Sequence, residues 1–235
     1  MINQNQIEKA TLEAIYWWNR TEHLNHQRFK NLDLLLAEEK YTNVVLEKII
    51  KPFLGEYSVR RNLGEGDENI LKFLKQIIEI NFINKVKDGK IEVIDETSDL
   101  FKNEGFTSNR RTISLLSKMA FLINPSDFSL YDTLARNSLK TLLLERKNNF
   151  LSKDIEVYTE FHKWTVQIKD EISDKGGFKI SFEILNIYKQ NAAYEFFSTN
   201  RKAFELRIID KLLWLMQQPR IDNSSLAEIY RKFGI

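Results

Sequence analysis

Residues 107–140 have the sequence TSNRRTISLLSKMAFLINPSDFSLYDTLARNSLK. Between Ile113 and Ile123 nearly every side of a helix would be apolar, so we expect this helix at the centre of the protein and not on its surface. Thr107 or Ser108 is expected to cap its start. A proline and a short extended apolar run follow, and Asp132 then stands where a second helix begins. The stretch predicts a buried helix, a connecting run and a carboxylate at a helix N-terminus.

The rest of the chain also favours helices. Only three prolines and eight glycines interrupt 235 residues, which is typical of long helices joined by short turns. Lys51-Pro52 is expected to end one helix, because a residue before proline is disfavoured in the α region. Residues 88–95, DGKIEVID, are expected to hold at most a short hairpin. Apolar periodicity predicts helices over residues 4–20, 25–38, 42–51, 68–84, 96–103, 108–123, 132–147, 154–172, 180–190, 200–217 and 224–233.

This pattern predicts an all-α, multi-helix globular fold. The length allows one large domain or two small ones. We therefore expect a single domain, 1–235, or two helical lobes with a cleft, formed by residues 1–100 with 180–235 and by residues 101–179.

Composition excludes several classes of protein and site. A hydrophobic fraction of 43% with 29% charged residues excludes a disordered chain. The absence of cysteine excludes disulfides, thiolate zinc sites and a cysteine nucleophile. His23 and His26 have no third ligand in the sequence pattern, so we expect no metal and no cofactor. No signal peptide or membrane-length apolar run is apparent, so we expect a cytoplasmic protein with no membrane partner.

The net charge is only +2, so any nucleic-acid surface must be local. A resemblance points to such a surface. The segment from Tyr131 to Arg136, YDTLAR, resembles the aspartate segment of the helix-hairpin-helix DNA glycosylases. Ser117-Lys118, Pro125, Phe128 and Tyr131-Asp132 are also similar to a segment of bacterial proteins with an oxoguanine-glycosylase-like fold. A second, shorter resemblance lies in RIIDKLLW, residues 207–214, which is similar to a closing helix of that group.

The resemblance implies a DNA-binding protein of glycosylase type that excises or senses a modified base in double-stranded DNA. Asp132 would be the general acid/base, or would stabilise the cationic sugar that forms as the glycosidic bond breaks. Phe128 and Tyr131 would line the pocket for a base taken out of the stack. The cations implied as phosphate contacts are Arg110, Arg111, Lys118, Arg136 and Lys140.

Two departures from the family refine this prediction. The glycine-rich hairpin of the family is replaced by FTSNRRT, residues 106–112, so arginines would have to replace its phosphate contact. The Schiff-base lysine of the lyase-type members falls on Ser114. We therefore predict hydrolysis without lyase chemistry.

A second interpretation stays open. Aspartate is a preferred N-cap residue, and Asp132 would then only satisfy backbone amides. Under that interpretation the chain is a catalytically silent helical protein that binds DNA or a partner protein, in a regulatory or defence role. DNA binding that weakens with salt would separate a DNA-binding protein from a protein-binding one.

Overall fold

The computed structural model describes residues 2–38, 42–63, 66–104, 111–146 and 154–217. These residues form helices joined by turns, and they contain no strand, which confirms the all-α prediction. No helix in this part of the chain is both long enough and apolar enough to cross a membrane. The chain forms two compact units, which divide it at other places than the lobes expected from the sequence. Unit 1 is Met1–His23 with Asp132–Ile235, and unit 2 is Leu24–Tyr131.

Unit 1 is built around its last described helix. In that helix every residue from Ala203 to Leu213 is buried, including four charged ones. The helices that contact it most extensively are α1 (Gln4–Trp17), α10 (Thr133–Glu145) and α11 (Tyr158–Asp174), and α13 (Ala192–Phe197) also packs against it. The helices of unit 1 are α1 (Gln4–Trp17), the π-helical segment π1 (Trp18–Glu22), α10 (Thr133–Glu145), α11 (Tyr158–Asp174), α12 (Lys179–Ile187), α13 (Ala192–Phe197) and α14 (Arg201–Met216).

Unit 2 contains the apolar helix that the sequence places at the centre of a core. Nine of its eleven residues, Ile113–Ile123, are buried, and it packs against α7 and α8. The helices of unit 2 are α2 (His23–Phe29, of which all but His23 belong to the unit), α3 (Leu32–Leu36), α4 (Thr42–Val45), the π-helical π2 (Leu46–Ile50), α5 (Lys51–Glu56), α6 (Asp67–Glu79), α7 (Phe82–Lys87), α8 (Val93–Asn103) and α9 (Ile113–Ile123).

Residues 88–95 hold no strand: they form a turn, with Gly89 at φ 73°, and the first residues of α8. The prediction that Lys51-Pro52 ends a helix was wrong, because the chain stays helical through Pro52. The Lys51 amide bonds to the Leu46 carbonyl across the wide turn of π2, and α5 then starts with Pro52 in its first turn. Proline is tolerated in the first turn of an α-helix, where its fixed φ suits the helix.

Thr112, and not Thr107 or Ser108, stands at the start of α9. Its amide bonds to the Ser98 hydroxyl at 2.9 Å, which fixes the start of α9 against α8. Thr107 and Ser108 lie outside the described residues, as does the helix expected over 224–233.

Candidate functional site

Asp132 is the second residue of YDTLAR, the segment that carries the resemblance. Its backbone is extended, with φ −141° and ψ 172°, and its side chain caps α10. The Ala135 amide donates to Asp132 Oδ1 at 2.8 Å, and the Arg136 amide donates to the Asp132 carbonyl at 3.0 Å. Oδ2 accepts no hydrogen bond from the described residues. The side chain is half-buried, so one carboxylate oxygen holds the helix and the other remains for a further donor.

The extended run before Asp132 is fixed to α9. The Tyr131 amide donates to the Ser117 hydroxyl at 3.2 Å, and Ser117 is fully buried. Phe128 is 0% exposed and Tyr131 is 7% exposed. The two aromatic residues predicted for a base pocket are therefore core residues of unit 2, and their packing holds the run in place.

Two of the predicted phosphate contacts lie on the same helix as Asp132. Arg136 and Lys140 follow it by four and eight residues, about one and two helical turns, so they lie on one side of α10. Arg136 is half-buried and Lys140 is exposed. Unit 1 therefore carries a row formed by one carboxylate and two cations.

The other predicted cations are in unit 2 or outside the described residues. Arg111 Nη2 lies 2.9 Å from Asp99 Oδ1, and this ion pair is exposed. Lys118 Nζ donates to the backbone carbonyl of Tyr57 at 3.3 Å and lies 6.0 Å from the centroid of the Tyr57 ring. Arg111 and Lys118 thus have intramolecular partners already. Arg110 lies outside the described residues.

Unit 1 also contains a group of buried charges that the sequence pattern did not predict. Arg207 Nε donates to Glu22 Oε2 at 3.0 Å, and its Nη2 donates to Glu22 Oε1, so the two side chains form a forked ion pair. The two side chains are only 4% and 2% exposed. Asp210 lies 3.9 Å from Arg207 Nη1. Glu22 is the last residue of π1, and the wide turn of a π-helix often marks a position with a special role.

The same group of charges extends to the end of α1. Trp17 Nε1 donates to Glu13 Oε2 at 2.9 Å. The Lys211 ammonium lies 4.5 Å from the Trp17 ring centroid and 5.4 Å from that of Trp214. Burial, followed by the positive charge of Arg207, lowers the pKa of Lys211 to about 7. The sequence signal for these buried charges is RIIDKLL, residues 207–213, in which charged residues alternate with pairs of apolar residues.

Unit 2 also contains a groove away from these residues. The groove, of about 160 Å³, is lined mainly by apolar side chains of α3, α6 and α7, among them Leu36 and Ile77. Asp33 lines it too, and its Oδ2 accepts from Lys87 Nζ at 2.7 Å. None of the predicted site residues lines this groove.

Comparison with family models, with curated proteins and with solved structures finds no match to this chain. A functional assignment therefore depends on the residues and their geometry.

Proposed function

We propose that the protein binds DNA and removes a modified base by hydrolysis of its glycosidic bond, with Asp132 as the functional carboxylate. The proposal rests on the hydrogen bonding of the Asp132 carboxylate. One oxygen caps α10, and the other has no donor among the described residues. The order of elements also supports it, because a buried helix, an extended run and a capped helix follow each other as the resemblance implies.

In this reaction the Asp132 carboxylate orients a water molecule and accepts a proton from it. The water oxygen forms a bond to the sugar C1′, while the bond from C1′ to the base nitrogen breaks. The electron pair of that bond leaves with the base. The negative charge of Asp132 also stabilises the cationic sugar that develops in the transition state. Both effects need a charged carboxylate, and an amide at this position supplies neither.

Arg136 and Lys140 hold the DNA backbone in this proposal. Their spacing along α10 gives two cations on one side of a helix, and phosphate contacts of this kind supply most of the sequence-independent affinity for DNA. Each contact contributes about one unit to the slope of log affinity against log salt.

The test uses labelled duplexes that carry oxidised, deaminated or alkylated bases, followed by alkali to cut any abasic site. Asp132→Asn removes the charge and keeps a good N-cap residue. Asp174→Asn is the matched control, because Asp174 is an exposed residue of unit 1 at the end of α11. The proposal expects cleavage by the native protein and by Asp174→Asn, and none by Asp132→Asn.

A second candidate is a catalytically silent helical protein that binds DNA or a partner protein. It is favoured by the burial of Phe128 and Tyr131, which leaves neither ring on the surface to stack a base. The salt dependence of DNA binding separates a DNA-binding protein, catalytic or silent, from one that binds only a partner protein. A DNA-binding protein is supported if binding weakens with salt. Changing both Arg136 and Lys140 to Gln should then reduce the slope of log affinity against log salt by about two units. The paired control changes Lys175 and Lys179, two exposed lysines of unit 1, to Gln.

A further inference from the structure

Lys211 has an unusual environment for a lysine. Its side chain is on the buried helix α14 and is only 8% exposed. The amine lies close to two indole rings, 4.5 Å from the centroid of Trp17 and 5.4 Å from that of Trp214. Both indoles are half-buried. The nearly buried amine is thus in contact with two aromatic side chains that are themselves partly accessible to solvent.

The amine of Lys211 has no polar partner among the described residues: no acceptor takes a hydrogen bond from it, and no carboxylate forms an ion pair with it. Lys169 provides a contrast within the same unit. It is also 8% exposed, but its Nζ lies 2.5 Å from Asp170 Oδ1. Lys169 therefore has a carboxylate partner, whereas Lys211 has none among the described residues.

The charges around Lys211 come from α1, π1 and α14 itself. Burial and the cation of Arg207 favour the unprotonated amine, and together they lower the pKa of Lys211 to about 7. Three carboxylates act in the opposite direction, those of Glu22, Glu13 and Asp210. A lysine that is desolvated and next to a second cation is a nucleophile at neutral pH, because a large share of its amine carries a free electron pair.

We propose that Lys211 is a carbonyl-reactive amine that captures an aldehyde lying against Trp17 and Trp214. The ligand class is a planar, conjugated aldehyde, because flat rings pack against indole faces. The amine nitrogen forms a bond to the carbonyl carbon, and a proton moves from nitrogen to the carbonyl oxygen. Loss of that oxygen as water leaves an imine. This site goes beyond the proposed function and does not depend on Asp132.

The experiment uses benzaldehyde as the probe and cyanoborohydride as the reductant, which delivers hydride to the imine and fixes it as a secondary amine. The intact protein is treated at a series of pH values, digested and analysed by peptide mass spectrometry. At pH 7 we expect Lys211 to be modified at least tenfold faster than Lys169. Its rate should level off above about pH 7, whereas the rates of surface lysines keep rising towards their ordinary pKa near 10.4.

Two variants complete the test. Lys211→Met should lose this fast adduct, and Lys169→Met should retain it, with circular dichroism confirming that both are folded. Equal modification of Lys211 and Lys169 in the native protein would overturn the proposal, and this comparison needs no variant. A rate at Lys211 that rises with pH like that of the surface lysines would also overturn it.

Discussion

The guanidinium of Arg207 forms a forked ion pair with the carboxylate of Glu22, 185 residues earlier in the chain, and both side chains are almost completely buried. Arg207 is on α14 and Glu22 ends π1. The pair fixes the end of the first helical segment of unit 1 against its central helix. Several properties of the protein follow from this relationship and from the charges around it.

Loss of the Glu22 charge should strongly destabilise the protein. In Glu22→Gln the buried guanidinium of Arg207 loses its counter-charge, and breaking a buried pair in this way costs about 3–5 kcal/mol. Urea denaturation followed by circular dichroism measures the change. Glu160→Gln breaks an exposed pair with Lys163 in the same unit and should cost no more than about 0.5 kcal/mol. Equal losses in the two variants would show that Arg207 does not need Glu22.

The free energy of unfolding should rise with pH above about 7 through Lys211. The folded-state pKa of about 7 lies below the ordinary lysine pKa of 10.5, so between these values the unfolded chain binds more protons. One such group contributes a slope of up to about 1.4 kcal/mol per pH unit. The difference between the native protein and Lys211→Met isolates this contribution from the other titrating groups. The prediction fails if both proteins have the same slope between pH 7 and 10.

Asp132 should contribute to stability as a cap, separately from any chemistry. Asp132→Ala removes the acceptor of the Ala135 amide and should cost about 1 kcal/mol, whereas Asp132→Asn keeps an acceptor and should cost a few tenths. Asn191 caps α13 through the Tyr194 amide in the same way, so Asn191→Ala should show a similar loss. If Asp132→Asn is as unstable as Asp132→Ala, the prediction is wrong and the Asn variant is unsuitable for testing catalysis.

Ser117 should be needed to hold the run that leads to Asp132. In Ser117→Ala the amide of Tyr131 loses its acceptor within the core, and an unsatisfied buried donor costs about 1–3 kcal/mol. Ser138 of α10 is the matched control: its hydroxyl is buried and has no hydrogen-bond partner among the described residues. Ser138→Ala should therefore leave the free energy of unfolding unchanged or raise it. Thermal denaturation of the two variants compares them directly, and a neutral Ser117→Ala would contradict the prediction.

Helices whose position depends on neighbouring residues in the sequence were predicted correctly. Nearly continuous apolar residues identified α9 as a core helix, and the short polar side chain of Asp132 identified the start of α10. The π-helical turn π1 could not be predicted in this way. Its last residue pairs with Arg207, and a partner so far along the chain is invisible to local periodicity.

The candidate sites also depend on contacts between residues distant in sequence, which local periodicity does not show. Periodicity places Phe204, Ile208 and Leu212 on one face of α14, but it cannot show that the face with Arg207 and Lys211 is also covered. That burial arises from helices distant in sequence, α1 among them, and it lowers the pKa of Lys211. Phe128 and Tyr131 were likewise predicted to line a base pocket, but tertiary packing places them in the core of unit 2.

The role of the Asp132 charge is tested most directly by the excision of a base under single-turnover conditions. The native protein, Asp132→Asn and Asp174→Asn are each mixed in excess with the duplex found to be cleaved, and release of the free base is followed with time. The proposal predicts that Asp132→Asn slows release by at least about a hundredfold, within the range for general acid–base groups, while Asp174→Asn matches the native rate. Release by Asp132→Asn at the native rate would contradict it, as would no release from any duplex by the folded native protein.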